Sequence, residues 1–192
     1  MIMNLLSEYD RSRNCRVSPY SINIELTEKC FLRCPECYQN RTIGKDMEYQ
    51  LFMKIVDDAA NAGVRRILLS GGDPLLYPNL AKAVKYAKSK SMECYLSTSG
   101  YGLTDNILVQ LKDSGLDAIH ISINGSSREI NQLSRDGFDC AVKALSLLNG
   151  YGIKTVINWV AHHDNIIDFE NMIQIGQKYG VANIDVLSLK HM

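Results

Sequence analysis

Short apolar runs alternate along the chain with longer segments in which apolar residues recur every three or four positions. The short runs predict β-strands at residues 22–26, 66–70, 93–97, 118–123, 154–160 and 183–187. The longer segments predict helices at residues 48–61, 79–88, 105–113, 138–148 and 167–179. In the fourth of these helices, Phe138, Ala141, Leu145 and Leu148 fall on one helical face.

This alternation predicts an α/β fold in which six parallel strands are joined by right-handed helical crossovers. A closed eight-stranded barrel takes about 250 residues, whereas the chain has 192. We therefore expect a partial (β/α)6 barrel of the TIM type that is open on one side. Because no linker interrupts the pattern, the sequence predicts one core domain over residues 19–192, preceded by a polar N-terminal arm over residues 1–18.

Several predicted strands carry polar residues at alternate positions, where a parallel sheet covered on both faces would be apolar throughout. In the fourth strand, His120, Ser122 and Asn124 alternate with isoleucines. The other such residues are Asn23, Glu25, Glu93, Tyr95, Ser97, Asn158 and Asp185. Structural hydrogen bonds are a sufficient explanation for any single one of them. Together they predict that one sheet face lines a binding cavity, at the carboxyl ends of the strands where ligands of such folds bind.

The composition narrows the class of protein. Apolar residues make up 46% and charged residues 22% of the chain, which excludes a disordered or collagen-like protein. The 21 basic residues balance 21 acidic ones, so no net charge attracts a nucleic acid or an anionic membrane. The sequence has neither a signal-peptide pattern nor an apolar stretch that could span a bilayer. We therefore expect a cytoplasmic protein without nucleic-acid or membrane partners, and the sequence predicts no particular oligomeric state.

Three of the six cysteines lie within eight residues, directly after the first predicted strand. The spacing Cys30-x3-Cys34-x2-Cys37 allows one short loop to surround three corners of an iron–sulfur cube, with one iron left open for a reactant. A zinc site completed by a distant His or Cys, or three buried thiols, are the alternatives. Zinc motifs generally consist of two closely spaced pairs of ligands. We therefore favour the open cluster, with these three cysteines as its metal ligands and catalytic residues.

The cysteine loop resembles that of the radical S-adenosylmethionine (radical SAM) superfamily, and the resemblance extends over residues 22–187. It implies a 4Fe-4S cluster whose open iron binds the amino and carboxylate groups of S-adenosylmethionine. It also implies that reductive cleavage of this cofactor yields a 5′-deoxyadenosyl radical, which abstracts a hydrogen atom from a substrate.

Two further motifs resemble cofactor contacts of the superfamily. The turn Gly71-Gly72-Asp73 after the second strand is similar to the family's Gly-Gly-Glu motif at the amino group of the cofactor. Two glycines allow backbone to approach a ligand closely, and a carboxylate accepts hydrogen bonds from an ammonium group. Arg135 corresponds to the arginine that pairs with the cofactor carboxylate, a role that suits a planar guanidinium.

The resemblance implies other cofactor contacts with less specific motifs. Polar residues after the third and fourth strands stand where relatives face the ribose and the carboxylate, and they are Thr98, Ser99, Ser122 and Asn124. Glu36 occupies the position before the third cysteine, where relatives place an aromatic residue or His near the adenine. This implies a backbone contact there or a contact from Tyr38. The pair His162-His163 is interpreted as solvated loop residues rather than metal ligands, and Cys15 has no assigned role.

Within the superfamily, the chain is most similar to the branch that modifies ribosomal peptides or protein side chains. Those relatives usually carry a C-terminal SPASM extension with cysteines for auxiliary clusters, and this chain has no cysteine after Cys140. The resemblance implies a peptide or protein substrate and a reducing partner of the flavodoxin or ferredoxin type. Two alternatives stay open. One is an activating enzyme that installs a glycyl radical on a partner protein, and the other is a non-catalytic iron–sulfur electron-transfer or binding protein.

Overall fold

The computed structural model describes residues 19–37 and 44–188, so the predicted N-terminal arm lies outside the described residues. One parallel sheet contains the strands β1 (Ser21–Thr27), β2 (Arg66–Gly71), β3 (Glu93–Thr98), β4 (Ala118–Ser122), β5 (Lys154–Ala161) and β6 (Asn183–Ser188). Each strand pairs with the next one along the chain. The helices are α1 (Tyr49–Asn61), α2 (Leu80–Ser89), α3 (Asp105–Asp113), α4 (Arg128–Asn131), α5 (Phe138–Leu148) and α6 (Phe169–Lys178). The predicted open α/β sheet of six parallel strands is therefore confirmed.

The two faces of the sheet differ in polarity, because side chains alternate between the faces along each strand. One face packs against the helices and carries Leu69, Leu96, Ile121 and Trp159, all of which are fully buried. Phe52 of α1 belongs to the same hydrophobic core. The opposite face carries the polar residues that the sequence predicted. The core therefore lies between the sheet and the helices and leaves the polar face for other contacts.

Two of the helices differ from the prediction by more than a residue at an end. The last helix begins at Phe169, because Ile166–Asp168 form a 3-10 turn before it. Helix α4 was not predicted, since its four residues are too few to show a helical period. Ser127 caps this helix by accepting a hydrogen bond from the Ile130 amide at 3.4 Å. None of the helices in the described part of the chain is long and apolar enough to cross a membrane.

Candidate active site

A cavity of about 240 Å³ lies at the carboxyl ends of the strands, where the sequence motifs come together. The predicted site residues that line it are Cys30, Cys34, Glu36, Cys37, Gly71, Gly72, Thr98, Ser99, Ser122, Asn124 and Arg135. It is also lined by Ser97 of the predicted polar sheet face, and by Leu32, Ser70, Ser134 and Val160, which no motif indicated. Asp73 is buried without lining the cavity, and Tyr38 lies outside the described residues.

The three cysteines share one loop after β1. All three cysteines are half-buried, and the Cys37 amide donates to the Cys34 carbonyl at 3.3 Å. Burial raises the pKa of the Cys30 thiol, and a backbone hydrogen bond at Leu32 opposes the rise. The negative charges of Asp73 and of the other two cysteines raise this pKa further. Such thiols become good ligands when a metal centre supplies positive charge.

The two glycines after β2 are required by a close approach within the chain. Gly71 has a φ of 132°, and a Cβ there would collide with the Thr27 carbonyl oxygen. A Cβ on Gly72 would collide with the Lys29 carbonyl oxygen. Gly72 N donates to Thr27 O at 2.6 Å, and Asp73 N donates to Lys29 O at 2.7 Å. These glycines thus allow a close approach within the chain, toward the stem of the cysteine loop, and both also line the cavity. Their contact with a ligand stays a prediction.

Asp73 connects two turns behind the cavity wall. Its Oδ1 accepts hydrogen bonds from Thr98 Oγ1 at 2.6 Å and from the Leu75 amide at 3.2 Å. Its Oδ2 accepts from the Ser99 amide at 3.2 Å and from the Ser99 hydroxyl. Four donors therefore already satisfy this carboxylate. The predicted contact of Asp73 with an amino group would have to be shared with them, and the hydroxyls of Thr98 and Ser99 are likewise directed to Asp73.

Asn124 joins the end of β4 to two other segments. Its backbone amide donates a hydrogen bond to Asn131 Oδ1 at 2.7 Å. Its Oδ1 accepts from the Val160 amide at 3.1 Å, and its Nδ2 donates to Ser134 Oγ at 2.9 Å. Both ends of the side-chain amide therefore have partners, and Asn124 contributes to the cavity mainly by fixing the shape of its wall.

Arg135 lines the cavity, and one nitrogen of its guanidinium group lacks a partner among the described residues. Its Nε is buried and has no hydrogen-bond partner in the described part of the chain. A buried N–H without an acceptor is costly, so this position fits an acceptor that binds in the cavity. The next residues hold the cysteine loop: Arg33 N donates to Asp136 Oδ2 at 3.1 Å. A Cβ on Gly137 would lie 2.7 Å from Leu32 Cδ1, so Leu32 packs directly on this turn.

The interpretation of the histidine pair as solvated is confirmed for His163, whose side chain is 99% exposed. It is wrong for His162, whose side chain is only 9% exposed. His162 Nε2 lies 3.1 Å from Ser134 Oγ, although 28 positions separate the two residues. The amide of His162 donates to Asn165 Oδ1 at 2.8 Å, which turns the histidine inward. The asparagine three residues later was the one local signal of this turn.

The polar sheet face carries a hydrogen-bonded network that adjoins the cavity at Ser97. Asn158 Nδ2 donates to Ser97 Oγ at 3.3 Å. His120 Nδ1 lies 3.0 Å from Asn158 Oδ1 and 3.5 Å from Asp185 Oδ2. Since both of these oxygens are acceptors, Nδ1 carries the ring proton. The network therefore links side chains of β3, β4, β5 and β6.

The donor set fits a 4Fe-4S cluster with S-adenosylmethionine. Three thiols in one loop are the ligand set of a cluster with one open iron. The unpartnered Nε of Arg135 fits a carboxylate. Within residues 19–37 and 44–188, no three His, Cys, Asp or Glu side chains are placed to hold a single metal ion.

A profile of the radical SAM superfamily matches residues 24–175. Because this match covers most of the chain, the chain belongs to the radical SAM superfamily. Members of this superfamily use a 4Fe-4S cluster and S-adenosylmethionine. The family and the cofactors predicted from the sequence are thereby confirmed.

Three relatives show how far the similarity extends. A PqqA peptide cyclase from Ruegeria pomeroyi is 29% identical over 175 residues, which are 88% of this chain and 47% of that protein. The structure of SuiB from Streptococcus suis bound to S-adenosylmethionine has a TM-score of 0.84 at 15% identity, over 98% of this chain and 45% of SuiB. Methylornithine synthase (PylB) has a TM-score of 0.73 at 18% identity, over 96% of this chain and 57% of that chain. The chain thus spans about half the length of these relatives, and the structural likeness shows the fold alone.

Proposed function

We propose that the chain forms the cofactor-binding core of a radical SAM enzyme that abstracts hydrogen from a peptide or a protein side chain. One observation carries the proposal. Three cysteines from a single loop line the same cavity as Arg135, whose Nε is buried and unpartnered in the described part of the chain. One side of the cavity therefore offers cluster ligands, and the other offers a group that binds an anion.

The residues of the cavity have separate roles in this proposal. Cys30, Cys34 and Cys37 hold the cluster, and Arg135 pairs with the carboxylate of S-adenosylmethionine. When bound, the cluster and S-adenosylmethionine supply the 5′-deoxyadenosyl radical that abstracts a substrate hydrogen atom. The turn at residues 71–73 holds the stem of the cysteine loop and presents backbone carbonyls to the amino group.

The remaining predicted contacts belong to the adenosyl half of S-adenosylmethionine. Ser122 lines the cavity at the end of β4, and we assign its hydroxyl to the ribose. Glu36 lines the cavity beside the third cysteine, and we assign the adenine contact to its backbone or to Tyr38.

Two relatives and the polar sheet face support a peptide or protein substrate. The relative from R. pomeroyi is a peptide cyclase, and SuiB has also been crystallised with its precursor peptide SuiA. The fold by itself does not select this substrate class, because methylornithine synthase shares it. The network from Ser97 to Asp185 adds a physical reason, since such side chains can hydrogen-bond the amides of a peptide.

We further propose a flavodoxin- or ferredoxin-type reductant and a cytoplasmic location. The cluster needs an electron from outside the protein, and the cysteine loop is close to the surface. Phe31, next to the first cysteine, is 64% exposed. Thiols in such a loop also persist best in a reducing compartment.

Anaerobic reconstitution with iron and sulfide tests the proposal. We expect about four irons per chain, and slow release of 5′-deoxyadenosine when dithionite and S-adenosylmethionine are added. The triple Cys→Ala variant at positions 30, 34 and 37 should lose both properties. Cys140→Ala is the matched control, because Cys140 is also half-buried but lies on α5. A triple variant that keeps its cluster, or an intact reduced cluster that never cleaves S-adenosylmethionine, contradicts the proposal.

A further inference from the structure

Ser134 is a buried residue that follows α4 and lines the cavity beside Arg135. A serine hydroxyl offers one O–H donor and two acceptor sites. The donors that occupy the acceptor sites can be deduced from its two hydrogen-bond neighbours, Asn124 and His162.

The orientation of Asn124 is fixed by a backbone donor. The Val160 amide, which can only donate, lies 3.1 Å from Asn124 Oδ1. The other end of the side chain is therefore the Nδ2 group, which donates to Ser134 Oγ at 2.9 Å. This bond occupies the first acceptor site of the hydroxyl.

The tautomer of His162 is fixed in the same way. The Asp164 amide donates to His162 Nδ1 at 3.3 Å, so Nδ1 carries no proton. A neutral imidazole then carries its proton on Nε2. Nε2 lies 3.1 Å from Ser134 Oγ and donates to it, which occupies the second acceptor site.

Ser134 is left with an O–H for which the described residues record no acceptor. Arg135, the adjacent residue in the same cavity, has a buried Nε–H that also lacks an acceptor. Two unsatisfied donors on neighbouring residues match an anion with two oxygens, which is the geometry of a carboxylate.

We infer that Ser134 and Arg135 together bind the carboxylate of the methionyl group of S-adenosylmethionine, with His162 as the residue that positions Ser134. The inference rests on the proposed function. It adds a hydroxyl donor to the carboxylate site and gives the buried histidine a role in directing this donor.

The test is calorimetric titration of the anaerobically reconstituted protein with S-adenosylmethionine and with decarboxylated S-adenosylmethionine. Loss of a hydrogen bond to a charged group should raise the Kd of Ser134→Ala for S-adenosylmethionine by about tenfold to a hundredfold. The same variant should bind the decarboxylated ligand as the wild type does, because that ligand has no partner for the hydroxyl. Ser114→Ala is the matched control, since the Ser114 hydroxyl donates to the Gln110 carbonyl at the end of α3.

The role of His162 is tested by a double-mutant cycle. His162→Ala should weaken S-adenosylmethionine binding by about threefold to tenfold, because the hydroxyl is then free to turn away. In the Ser134→Ala background, the same change should have no further effect. His162→Gln, which keeps an N–H donor, should restore most of the affinity.

Several results would overturn the inference. Ser134→Ala could bind S-adenosylmethionine as the wild type does, or lose affinity equally for both ligands, which would indicate a purely structural serine. Additive effects of His162→Ala and Ser134→Ala on the binding free energy would show that His162 does not act through Ser134. If Ser134→Ala does not fold, Ser134→Cys keeps the volume with a weak donor and should show the same ligand dependence. Failure of the proposed function looks different, because wild-type protein would then bind no S-adenosylmethionine.

Discussion

The two sides of the cavity are held in place by different kinds of interaction. On the cluster side, which comprises residues 27–37 and 71–73, backbone hydrogen bonds and two glycines hold the loop of three cysteines. On the network side, which comprises Asn124, Ser134, Arg135 and His162, the hydrogen bonds of Asn124 and His162 to Ser134 fix the orientation of these three side chains. The cluster side therefore provides ligands that need a metal centre to complete them, whereas Asn124, Ser134 and His162 are held in place before any ligand binds.

The largest expected effect comes from removing a proposed metal ligand on the cluster side. Cys34→Ala removes one of three ligands, so the iron content after reconstitution should fall to near zero. Because Cys34 is only half-buried and the change removes a single sulfur atom, the free energy of unfolding of the cluster-free protein should fall by about 1 kcal/mol or less. Iron analysis and circular dichroism measure the two quantities. A variant that unfolds would show that the two sides are not separable.

Gly72→Ala should distort the backbone of the cluster side by a steric collision. The added Cβ collides with the Lys29 carbonyl, which is backbone and cannot move aside. We expect a loss of roughly 3 kcal/mol in the free energy of unfolding together with poor cluster incorporation. Gly150→Ala is the matched control, because its nearest neighbour, the Leu147 carbonyl oxygen, would lie 4.0 Å from the new Cβ. Equal denaturation midpoints for the two variants would show that the collision with the Lys29 carbonyl does not destabilise the protein.

Arg135→Ala should affect the network side alone. Loss of a desolvated charge partner should raise the Kd for S-adenosylmethionine by about 30-fold or more. The iron content should stay unchanged, since Arg135 is not a ligand of the cluster. Anaerobic calorimetry and iron analysis on the same preparation separate the two effects. Wild-type affinity in this variant would make Arg135 a structural residue.

The smallest expected effect lies outside both sides and sharpens the comparison. Thr104 caps α3 by accepting a hydrogen bond from the Ile107 amide at 3.3 Å. Thr104→Ala should cost about 1 kcal/mol of stability and lower the midpoint of thermal unfolding by about 2–4 °C. Iron content and S-adenosylmethionine affinity should stay as in the wild type. A change in either would mean that general stability controls the site.

The fold could be predicted from the sequence because its signals are local. Alternating apolar and polar residues placed each strand to within about a residue of its observed ends. The spacing of Cys30, Cys34 and Cys37 is equally local, and the prediction that these residues hold the cluster rests on it. Helix α4 could not be predicted, because four residues do not form a periodic pattern.

The hydrogen-bond partners of the site could not be predicted in this way. Asp73 bonds to Thr98 and Ser99, which lie about 25 positions later in the chain. The contact of His162 with Ser134 depends on how closely the turns after β4 and β5 approach each other. A single sequence gives no measure of such distances, so a polar residue near a motif cannot be assigned to a ligand or to the wall.

The hydrogen bond from Arg33 N to Asp136 Oδ2 joins residues 103 positions apart, one in the cysteine loop and one beside Arg135. Because of this bond, fixing either segment in place also restricts the other segment, so less free energy is needed to order the second one. A metal centre that orders the cysteine loop therefore lowers the cost of ordering the arginine turn. Thermodynamic linkage requires the converse by the same factor. Occupancy at the arginine turn should accordingly lower the fraction of iron that a chelator removes at equilibrium, and the protein should retain its metal best when both halves of the cavity are filled.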